Sequence, residues 1–176
     1  SGIPGTIGGA VKMNAGCYGS QTADNLKRIL VINKSGKIKY LTKDELELKY
    51  RSSNLTDEII VLEADFSCKY SSASEIIEKK NYIKLQRESS QPIKEKTSGS
   101  TFKNPPGEFA AALIERAGCK GLVNGGASVS TIHSNFIINN GDATALDIEN
   151  LGKKIIKQVQ EKFGITLEWE IKIIGT

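Results

Sequence analysis

The last third of the chain carries two adjoining hydrophobic patterns of different period, and together they constrain the fold more than any other feature. Residues 144–163 place apolar side chains at intervals of three and four, which predicts one buried face of a helix that Gly164 ends. The apolar positions on this face are Ile148, Leu151, Ile155, Val159 and Phe163. Residues 165–174, ITLEWEIKII, instead alternate apolar and polar side chains, which predicts a strand with one face in the core. The chain therefore needs a core that helices and strands share.

Weaker patterns predict further strands. Residues 27–41 alternate around a turn at Gly36, which predicts a hairpin. Residues 58–70 indicate another strand, and residues 135–139 a short one.

Start and stop signals predict further helices. Capping-box sequences predict a short helix opening at Thr42 and a longer one from Ser72 to about Arg87. Residues 108–117 predict a third helix, with Gly118 as its stop. Strands and helices follow each other without a βαβ rhythm, so we expect an α+β fold rather than a doubly wound sheet.

Two stretches rich in turn-forming residues predict loops. Residues 88–107 are rich in Ser, Pro, Gly and Lys, and residues 121–134 are rich in Gly and Ser. Because the first stretch marks a change in composition, we place a boundary between two units near residues 88–92. We expect the last strand to return to the first unit.

Composition and charge exclude several classes of protein. The 24 Lys and Arg outnumber the 20 Asp and Glu by a net charge of +4 that is spread along the chain. This fits an anionic small ligand and lacks the clustered basic surface of a nucleic-acid-binding protein. One histidine, His133, and three separated cysteines cannot form a usual zinc site and indicate a reducing compartment. No apolar run approaches membrane length and no signal-peptide pattern occurs, so we expect a cytoplasmic protein with no metal and no membrane contact.

The opening stretch, SGIPGTIGGAVKMNAGCYG, is dense in glycine. Glycine lets a backbone approach a ligand closely, and successive N–H groups can then cradle a diphosphate. The spacing matches neither the dinucleotide-binding fingerprint nor the P-loop. A tight structural turn is the other interpretation, and the stretch alone does not decide between the two.

Three further stretches carry residue types suited to chemistry. Arg51 in YRSS has a guanidinium that suits a carboxylate or phosphate clamp, or a surface ion pair. Ser100 in SGSTFKNP has no nucleophile elbow around it, so a proton-donating hydroxyl and a plain loop both remain open. Glu168 and Glu170 in LEWEIKIIG share the polar face of the predicted strand. They are solvated carboxylates or, if that face lines a cleft, one of them is an acid–base or polarising group.

Taken in order along the chain, these stretches resemble the UDP-N-acetylenolpyruvoylglucosamine reductases, flavoenzymes of bacterial peptidoglycan precursor synthesis. The resemblance runs from Ser1 to Gly175. The motifs that carry it are SGIPGTIGGAVKMNAGCYG, YRSS, SGSTFKNP, AALIERAGCKG, NGGASVSTIHSNFIIN and LEWEIKIIG.

The resemblance implies an oxidoreductase that uses NADPH and FAD. In that family, hydride passes from NADPH to the flavin and then to carbon 3 of the enolpyruvyl group of UDP-N-acetylglucosamine enolpyruvate. A proton donor then quenches carbon 2, which gives UDP-N-acetylmuramate. The family motifs place the proton donor at Ser100, the partner of the substrate carboxylate at Arg51, and a polarising or protonated carboxyl group at Glu170. A carboxyl group beside an enolate should have a raised pKa, because like charges repel.

The resemblance also implies residues that bind the cofactor and the substrate. The cofactor-binding residues would be Ser1, Gly2, Gly5, Gly8, Gly9, Asn14 and Gly16. The substrate-binding residues would be Tyr50, Arg87, Gln91, Lys103, Asn104, His133 and Asn135.

The domain plan of the family adds detail to the expected α+β fold. Residues 1–89 would be the second half of a vanillyl-alcohol-oxidase/PCMH-like FAD-binding domain, and residues 90–164 a smaller α+β domain that binds the UDP-sugar. Residues 165–176 would be a strand that packs back on the FAD domain. Because a first flavin-binding half precedes this region in the family, we expect this C-terminal portion to be inactive alone. We also expect it to be a monomer.

Two other functions stay open. The first is a nucleotide-sugar-binding module without redox activity. The combination of Ser100, Arg51 and Glu170 argues against it, because binding alone needs no proton donor. The second is a basic nucleic-acid-binding domain, which the lack of interleaved aromatic residues disfavours.

Overall fold

The structure is a computed structural model that describes residues 5–175. The chain divides into two compact units, of which one ends at Ile83 and the other begins at Lys84. The boundary that composition suggests, near residues 88–92, lies a few residues beyond this point. The mixed helix and strand content that the sequence predicts is confirmed.

The described part of the first unit contains short helices, two small antiparallel sheets and one 3₁₀ turn. Its helices are α1 (Ile7–Lys12) and α2 (Thr22–Asn25). Its strands are β1 (Gly16–Cys17), β2 (Ser20–Gln21), β3 (Leu26–Asn33), β4 (Ile38–Thr42) and β5 (Ile59–Phe66). The helix predicted at Thr42 is only the 3₁₀ turn Asp44–Leu46, although Glu45 does accept a hydrogen bond from the Thr42 amide at 2.7 Å.

Strand β3 lies at the centre of the main sheet, between β4 and β5, and both pairings are antiparallel. The predicted hairpin of β3 and β4 is confirmed, with Gly36 in its turn at φ +78°. Such a positive φ favours glycine because it lacks a Cβ. The buried side chains of this unit are Val11, Leu26, Ile29, Val31, Leu41, Leu46 and Leu55.

Helix α3 (Ala73–Ser90) crosses the point where the chain divides. Its predicted capping box is confirmed, because the Ser72 amide donates to Glu75 at 2.9 Å and the Glu75 amide donates to the Ser72 hydroxyl. The helix runs through residues 88–90, so the loop predicted from residue 88 begins later than expected. No residue of α3 is buried. None of the helices described in residues 5–175 is long and apolar enough to cross a membrane.

The second unit packs two helices against a small antiparallel sheet. The helices are α4 (Ala110–Arg116) and α5 (Ala145–Phe163), and the strands are β6 (Val123–Asn124), β7 (Ala127–Val129) and β8 (Ile137–Asn139) in the order β6-β7-β8. The loop predicted over residues 121–134 is therefore wrong in part, because it contains β6 and β7. The two strands are joined at Gly125 and Gly126, where side chains would collide with Asp147 and Ala143.

Helix α5 presents the predicted face to the core of the second unit. Leu151, Ile155 and Val159 are fully buried, and Ile148 and Phe163 pack at the edge of the same cluster. Gly164 ends the helix at φ +70°, as predicted. The other buried members of the core are Phe102, Ala110, Leu113, Ile114, Cys119, Ala127, Val129, Ile137 and Leu167.

The regular strand predicted over residues 165–174 is wrong, although its alternation is preserved at the start. Leu167 is buried and Trp169 packs on the core, yet Trp169 forms only an isolated bridge with Phe102. Its partner segment is short and bent at Thr101, so the ladder does not extend into a regular strand. The described contacts of this segment lie within the second unit, and its return to the first unit stays a prediction.

Candidate active site

Ser100 lies in a short segment, residues 100–103, that pairs with two other segments of the second unit. On one side Ser100 bridges Phe136, and the Thr101 amide donates to the Asn135 carbonyl at 2.8 Å. On the other side Phe102 bridges Trp169. Pairing on both sides holds the backbone around Ser100, which is a half-buried residue.

Asn135 stabilises this segment through its side chain. Its amide group donates to the Phe102 carbonyl at 2.8 Å, and its amide oxygen accepts from the Phe102 N–H at 2.9 Å. The residue is 4% exposed. The sequence suggested substrate binding for Asn135, and the structure gives its side chain a role in holding the Ser100 segment.

The pairing with Trp169 brings Glu170 next to the same segment. The Glu170 amide donates to the Thr101 carbonyl, and the Lys103 amide donates to the Glu168 carbonyl, both at 2.9 Å. The Lys103 ammonium also lies 3.3 Å from the exposed Glu168 carboxylate. Three of the predicted residues, Ser100, Lys103 and Glu170, therefore lie on directly paired segments.

The loop that carries His133 closes the other flank of the segment. The Ser130 hydroxyl accepts hydrogen bonds from the Ile132 and His133 amides, and His133 Nδ1 accepts from the Asn135 amide at 3.3 Å. The ring meets Phe136 edge-on at 4.7 Å. Burial lowers the pKa of His133. The neutral imidazole with Nδ1 as acceptor carries its proton on Nε2, which makes that atom a hydrogen-bond donor.

Other predicted substrate residues of the second unit make local contacts. Asn104 accepts a hydrogen bond from the Ala110 amide at 3.0 Å, which satisfies a free N–H at the start of α4. Arg87, in the last turn of α3, donates to the Gln91 side chain at 3.4 Å. Arg87 and Gln91, which are both predicted to bind substrate, are thus in contact with each other.

In the first unit, Tyr50 and Arg51 form a two-residue turn between Lys49 and Ser52. The turn is closed by two backbone hydrogen bonds of 3.1 and 3.2 Å, and Arg51 has a positive φ of 52°. The Arg51 guanidinium donates to the Gly16 carbonyl at 2.8 Å and lies 4.9 Å from the centre of the Tyr50 ring. Three predicted residues, Tyr50, Arg51 and Gly16, are therefore in contact.

The glycine-rich opening is partly helical. Ser1 and Gly2 lie outside the described residues, and Gly5 adopts φ +137°. Gly8 and Gly9 belong to α1, where a Cβ on Gly8 would lie 3.4 Å from Val61 and one on Gly9 would lie 3.3 Å from the Thr6 hydroxyl. The Gly9 amide donates to that hydroxyl, which caps the helix. A Cβ on Gly8 would therefore be in ordinary contact with β5, and a diphosphate role for these glycines stays a prediction.

Gly16 and Asn14, also predicted to bind cofactor, have structural reasons for their identity. A Cβ on Gly16 would lie 2.5 Å from the Ser20 carbonyl, so β1 and β2 pair only because the side chain is absent. Asn14 is 1% exposed, and its amide group donates to Gln21 and to the Lys49 carbonyl, both at 3.0 Å. Its amide oxygen accepts from the Ala23 amide at 2.9 Å. These contacts leave the cofactor role of both residues untested.

Comparisons with known proteins identify the family. Residues 91–174 match the family model of the UDP-N-acetylenolpyruvoylglucosamine reductase C-terminal domain. This part of the chain is therefore similar to that C-terminal domain. The reductases of Parvibaculum lavamentivorans and Rickettsia conorii are 48% and 50% identical over 174 residues, which is 99% of this chain. The chain covers only 56% and 59% of those two proteins.

A solved structure agrees with the sequence comparison. The UDP-N-acetylenolpyruvylglucosamine reductase of Thermus caldophilus matches with a TM-score of 0.85 and 38% identity, over 97% of this chain and 61% of its own. The resemblance of the chain to these reductases is confirmed. The chain spans less than two thirds of the length of each of these relatives.

The three residues that the reductase motifs place in catalysis belong to both units. Arg51 lies in the first unit, and Ser100 and Glu170 lie in the second. Within the second unit the arrangement offers a positioned hydroxyl, a carboxyl group on the adjoining segment and a neutral imidazole. No group of three His, Cys, Asp or Glu side chains in residues 5–175 is arranged to hold a metal ion.

Sequence reasoning missed the residues that support the Ser100 segment. Phe102 and Trp169 stack at 4.9 Å between ring centres, and the only available signal was the position of Trp169 on the apolar face of the predicted strand. Thr101 is 1% exposed, and its hydroxyl has no hydrogen-bond partner among the described residues. No sequence pattern distinguishes this threonine from an exposed one.

Proposed function

We propose that this chain forms part of a reductase that converts UDP-N-acetylglucosamine enolpyruvate to UDP-N-acetylmuramate in peptidoglycan precursor synthesis. The relatives carry the name of this activity, and the motifs assigned to catalysis occur in this chain. The observation that carries the proposal is the pairing of the Ser100 segment with the Glu170 segment, through the 2.9 Å hydrogen bond from Glu170 to Thr101. A nucleotide-sugar-binding module would not require a hydroxyl and a carboxyl group on neighbouring, rigidly paired segments.

FAD and NADPH are the cofactors proposed for this reaction. The chemistry that bound FAD supplies is transfer of a hydride from NADPH to carbon 3 of the enolpyruvyl group. Gly8 and Gly9 keep side chains off the first turn of α1, which fits close approach of a diphosphate to backbone N–H groups. Gly5 has open space where a Cβ would lie and also fits a close approach.

The residues of this chain would handle the proton and the negative charge. After carbon 3 has gained the hydride, carbon 2 takes a proton from the Ser100 hydroxyl, and the double bond becomes a single bond. Arg51 would bind the substrate carboxylate through its guanidinium, because Arg matches a carboxylate with two parallel hydrogen bonds. Glu170 would face the same group as a polarising or protonated carboxyl group. Stabilisation of a developing oxyanion is typically worth about 3–4 kcal/mol for each donor.

Seven further residues proposed from the motifs would bind the UDP-sugar. Lys103 and His133 Nε2 offer donors that suit phosphate or carbonyl oxygens, and Arg87 and Gln91 offer a second polar pair. Tyr50, Asn104 and Asn135 complete the proposed set.

Replacement of Ser100 by alanine tests the proposed proton donor. In the longest natural polypeptide that contains this sequence, Ser100→Ala should leave flavin reduction by NADPH unchanged. Reoxidation by the enolpyruvyl UDP-sugar should slow by about 10²–10⁴-fold, since that is the range of general acid catalysis. Stopped-flow absorbance of the flavin band measures both steps.

Ser98→Ala in the same loop is the matched control and should behave like the unchanged protein, because Ser98 is exposed. Normal reoxidation in Ser100→Ala would remove Ser100 from the proton-donor role. A long polypeptide that binds no flavin, even with FAD added, would overturn the reductase and leave a sugar-nucleotide-binding module in its place.

A further inference from the structure

The one tryptophan of the chain, Trp169, rests on α5 where a side chain is missing. A Cβ on Gly152 would lie 1.9 Å from Trp169 Cη2 and 2.6 Å from Cζ3. The first distance is about 1.5 Å short of the 3.4 Å at which ordinary van der Waals contact begins. Gly152 is buried in the interior of the helix, where glycine is a poor choice for helix stability. The indole therefore lies directly against the helix backbone, and only glycine permits it.

The indole also contacts the Ser100 segment. Its ring centre lies 4.9 Å from that of Phe102, with the planes tilted by 37°. Phe102 is 1% exposed and forms the backbone bridge with Trp169. Phe102 and Gly152 thus determine where the indole can lie.

The residues on either side of Trp169 are hydrogen-bonded to the segment that follows Ser100. Glu170 follows Trp169 directly, and its amide bonds to Thr101, the residue after Ser100. Glu168 on the other side of Trp169 accepts from the Lys103 amide. A displacement of the indole would therefore shift the whole ladder that joins residues 168–170 to residues 101–103.

We propose that Gly152 and Trp169 are positioning residues for the reductase, which hold Glu170 at its place beside the Ser100 segment. The proposal rests on the proposed function, because it concerns the protonation step in which Ser100 and Glu170 act. Neither residue touches the reacting atoms. Gly152 acts through the indole, and the indole acts through the backbone of Glu170.

Gly152→Ala is the direct test, and Trp169 reports its own position because no other tryptophan is present. We expect the fluorescence emission to move to longer wavelength and acrylamide quenching to increase. In the longest natural polypeptide that contains this sequence, flavin reoxidation by the enolpyruvyl UDP-sugar should slow by about 100-fold, the effect typical of a 1 Å misplacement. Flavin reduction by NADPH should change less than about 2-fold, because none of the residues proposed to bind the cofactor lies on the shifted ladder.

A second variant separates misplacement from failure to fold. In Gly152→Ala with Trp169→Phe, the smaller ring leaves room for the new methyl group. This pair should melt at a higher temperature than Gly152→Ala alone and recover most of the reoxidation rate. Lys153→Ala, at the exposed neighbouring position of α5, is the matched control and should retain normal fluorescence and reoxidation.

Unchanged emission in Gly152→Ala would show that the indole does not rest on Gly152. A shifted emission with normal reoxidation would overturn the positioning role. If the double variant Gly152→Ala with Trp169→Phe has the melting temperature of the unchanged protein but reoxidises its flavin as slowly as Gly152→Ala, the steric explanation is wrong. Failure of the proposed function is distinguishable, since the unchanged protein would then show no flavin reoxidation while the fluorescence results still held.

Discussion

At the scale of single residues, side chains that the motifs assign to ligands also hold the fold together. Asn14, Asn104 and Asn135 each accept a hydrogen bond from a backbone amide, at 9, 6 and 33 residues' distance along the chain. Asn14 also donates to Lys49, 35 residues away in the sequence. A local sequence pattern cannot reveal such partners, because they become neighbours only when the chain folds.

Replacement of Asn14 tests whether its side chain stabilises the fold or binds the cofactor. Asn14→Ala should lower the free energy of unfolding by about 1–3 kcal/mol, because the buried Ala23 amide loses its hydrogen-bond partner. The left-handed φ of 41° adds to the cost, since alanine tolerates it less well than asparagine. Urea unfolding followed by circular dichroism measures the change.

The control for Asn14 is Asn54→Ala, which removes one hydrogen bond from an exposed asparagine to the Glu45 carbonyl. It should cost about 1 kcal/mol or less. An unchanged urea midpoint in Asn14→Ala, together with lost flavin binding, would assign Asn14 to the cofactor instead.

His133 predicts how stability depends on pH. Its pKa in the folded protein is lowered from 6.5 by burial, so the unfolded chain takes up a proton first as the pH falls. The contribution of neutral His133 to the free energy of unfolding should therefore be fully present above pH 6.5. It should decrease as the pH falls from there towards the lower pKa of the folded protein. Urea midpoints between pH 7 and pH 5 test this, and His133→Gln should flatten the profile near pH 6 because it is the one histidine. The same slope in His133→Gln would contradict the assignment.

At the scale of elements, two long helices with similar capping boxes differ in what they bury. In α5, the Thr144 hydroxyl accepts from the Asp147 amide at 3.1 Å, and the apolar face packs in the core. In α3, Ser72 forms the equivalent contact with Glu75, but no side chain is buried. Helices draw most of their stability from packing. Loss of the cap should therefore lower the free energy of global unfolding more in α5, which packs in the core, than in α3.

Thr144→Ala should lower the free energy of global unfolding by about 1 kcal/mol, the usual cost of losing an N-cap. Ser72→Ala should reduce helix content without a comparable shift in the global transition, because α3 can fray while the cores stay folded. Urea titration and amide hydrogen exchange measure the two effects. Equal shifts of the global transition in both variants would show that α3 is packed.

At the scale of the whole molecule, the chain has two cores, and the catalytic residues proposed from the motifs are divided between them. The exposed helix α3 contains the point of division at Ile83 and Lys84. Limited trypsin digestion should cut first within α3, at Lys79, Lys80 or Lys84, because an exposed helix opens locally at low cost. Mass spectrometry should then find one fragment from each unit. A first cut at the hairpin turn, after Lys34 or Lys37, would contradict this order.

The sequence by itself determined the periodic elements and the family. The faces of α5 and of the β3–β4 hairpin follow from local spacing, since buried side chains must recur at the period of the backbone. The ordered motifs identified the reductase family before any contact was known. The short strands β6 and β7 were not predicted from the sequence, because two or three residues contain no measurable period.

Only the tertiary structure decided which residues meet. It turned the predicted last strand into a single bridge, paired Glu170 with Thr101 and seated Trp169 on Gly152. It also converted part of the glycine-rich opening into a helix packed on β5. The physical reason is that close packing and hydrogen bonding between distant segments depend on three-dimensional distances of a few ångströms, which local residue patterns do not specify.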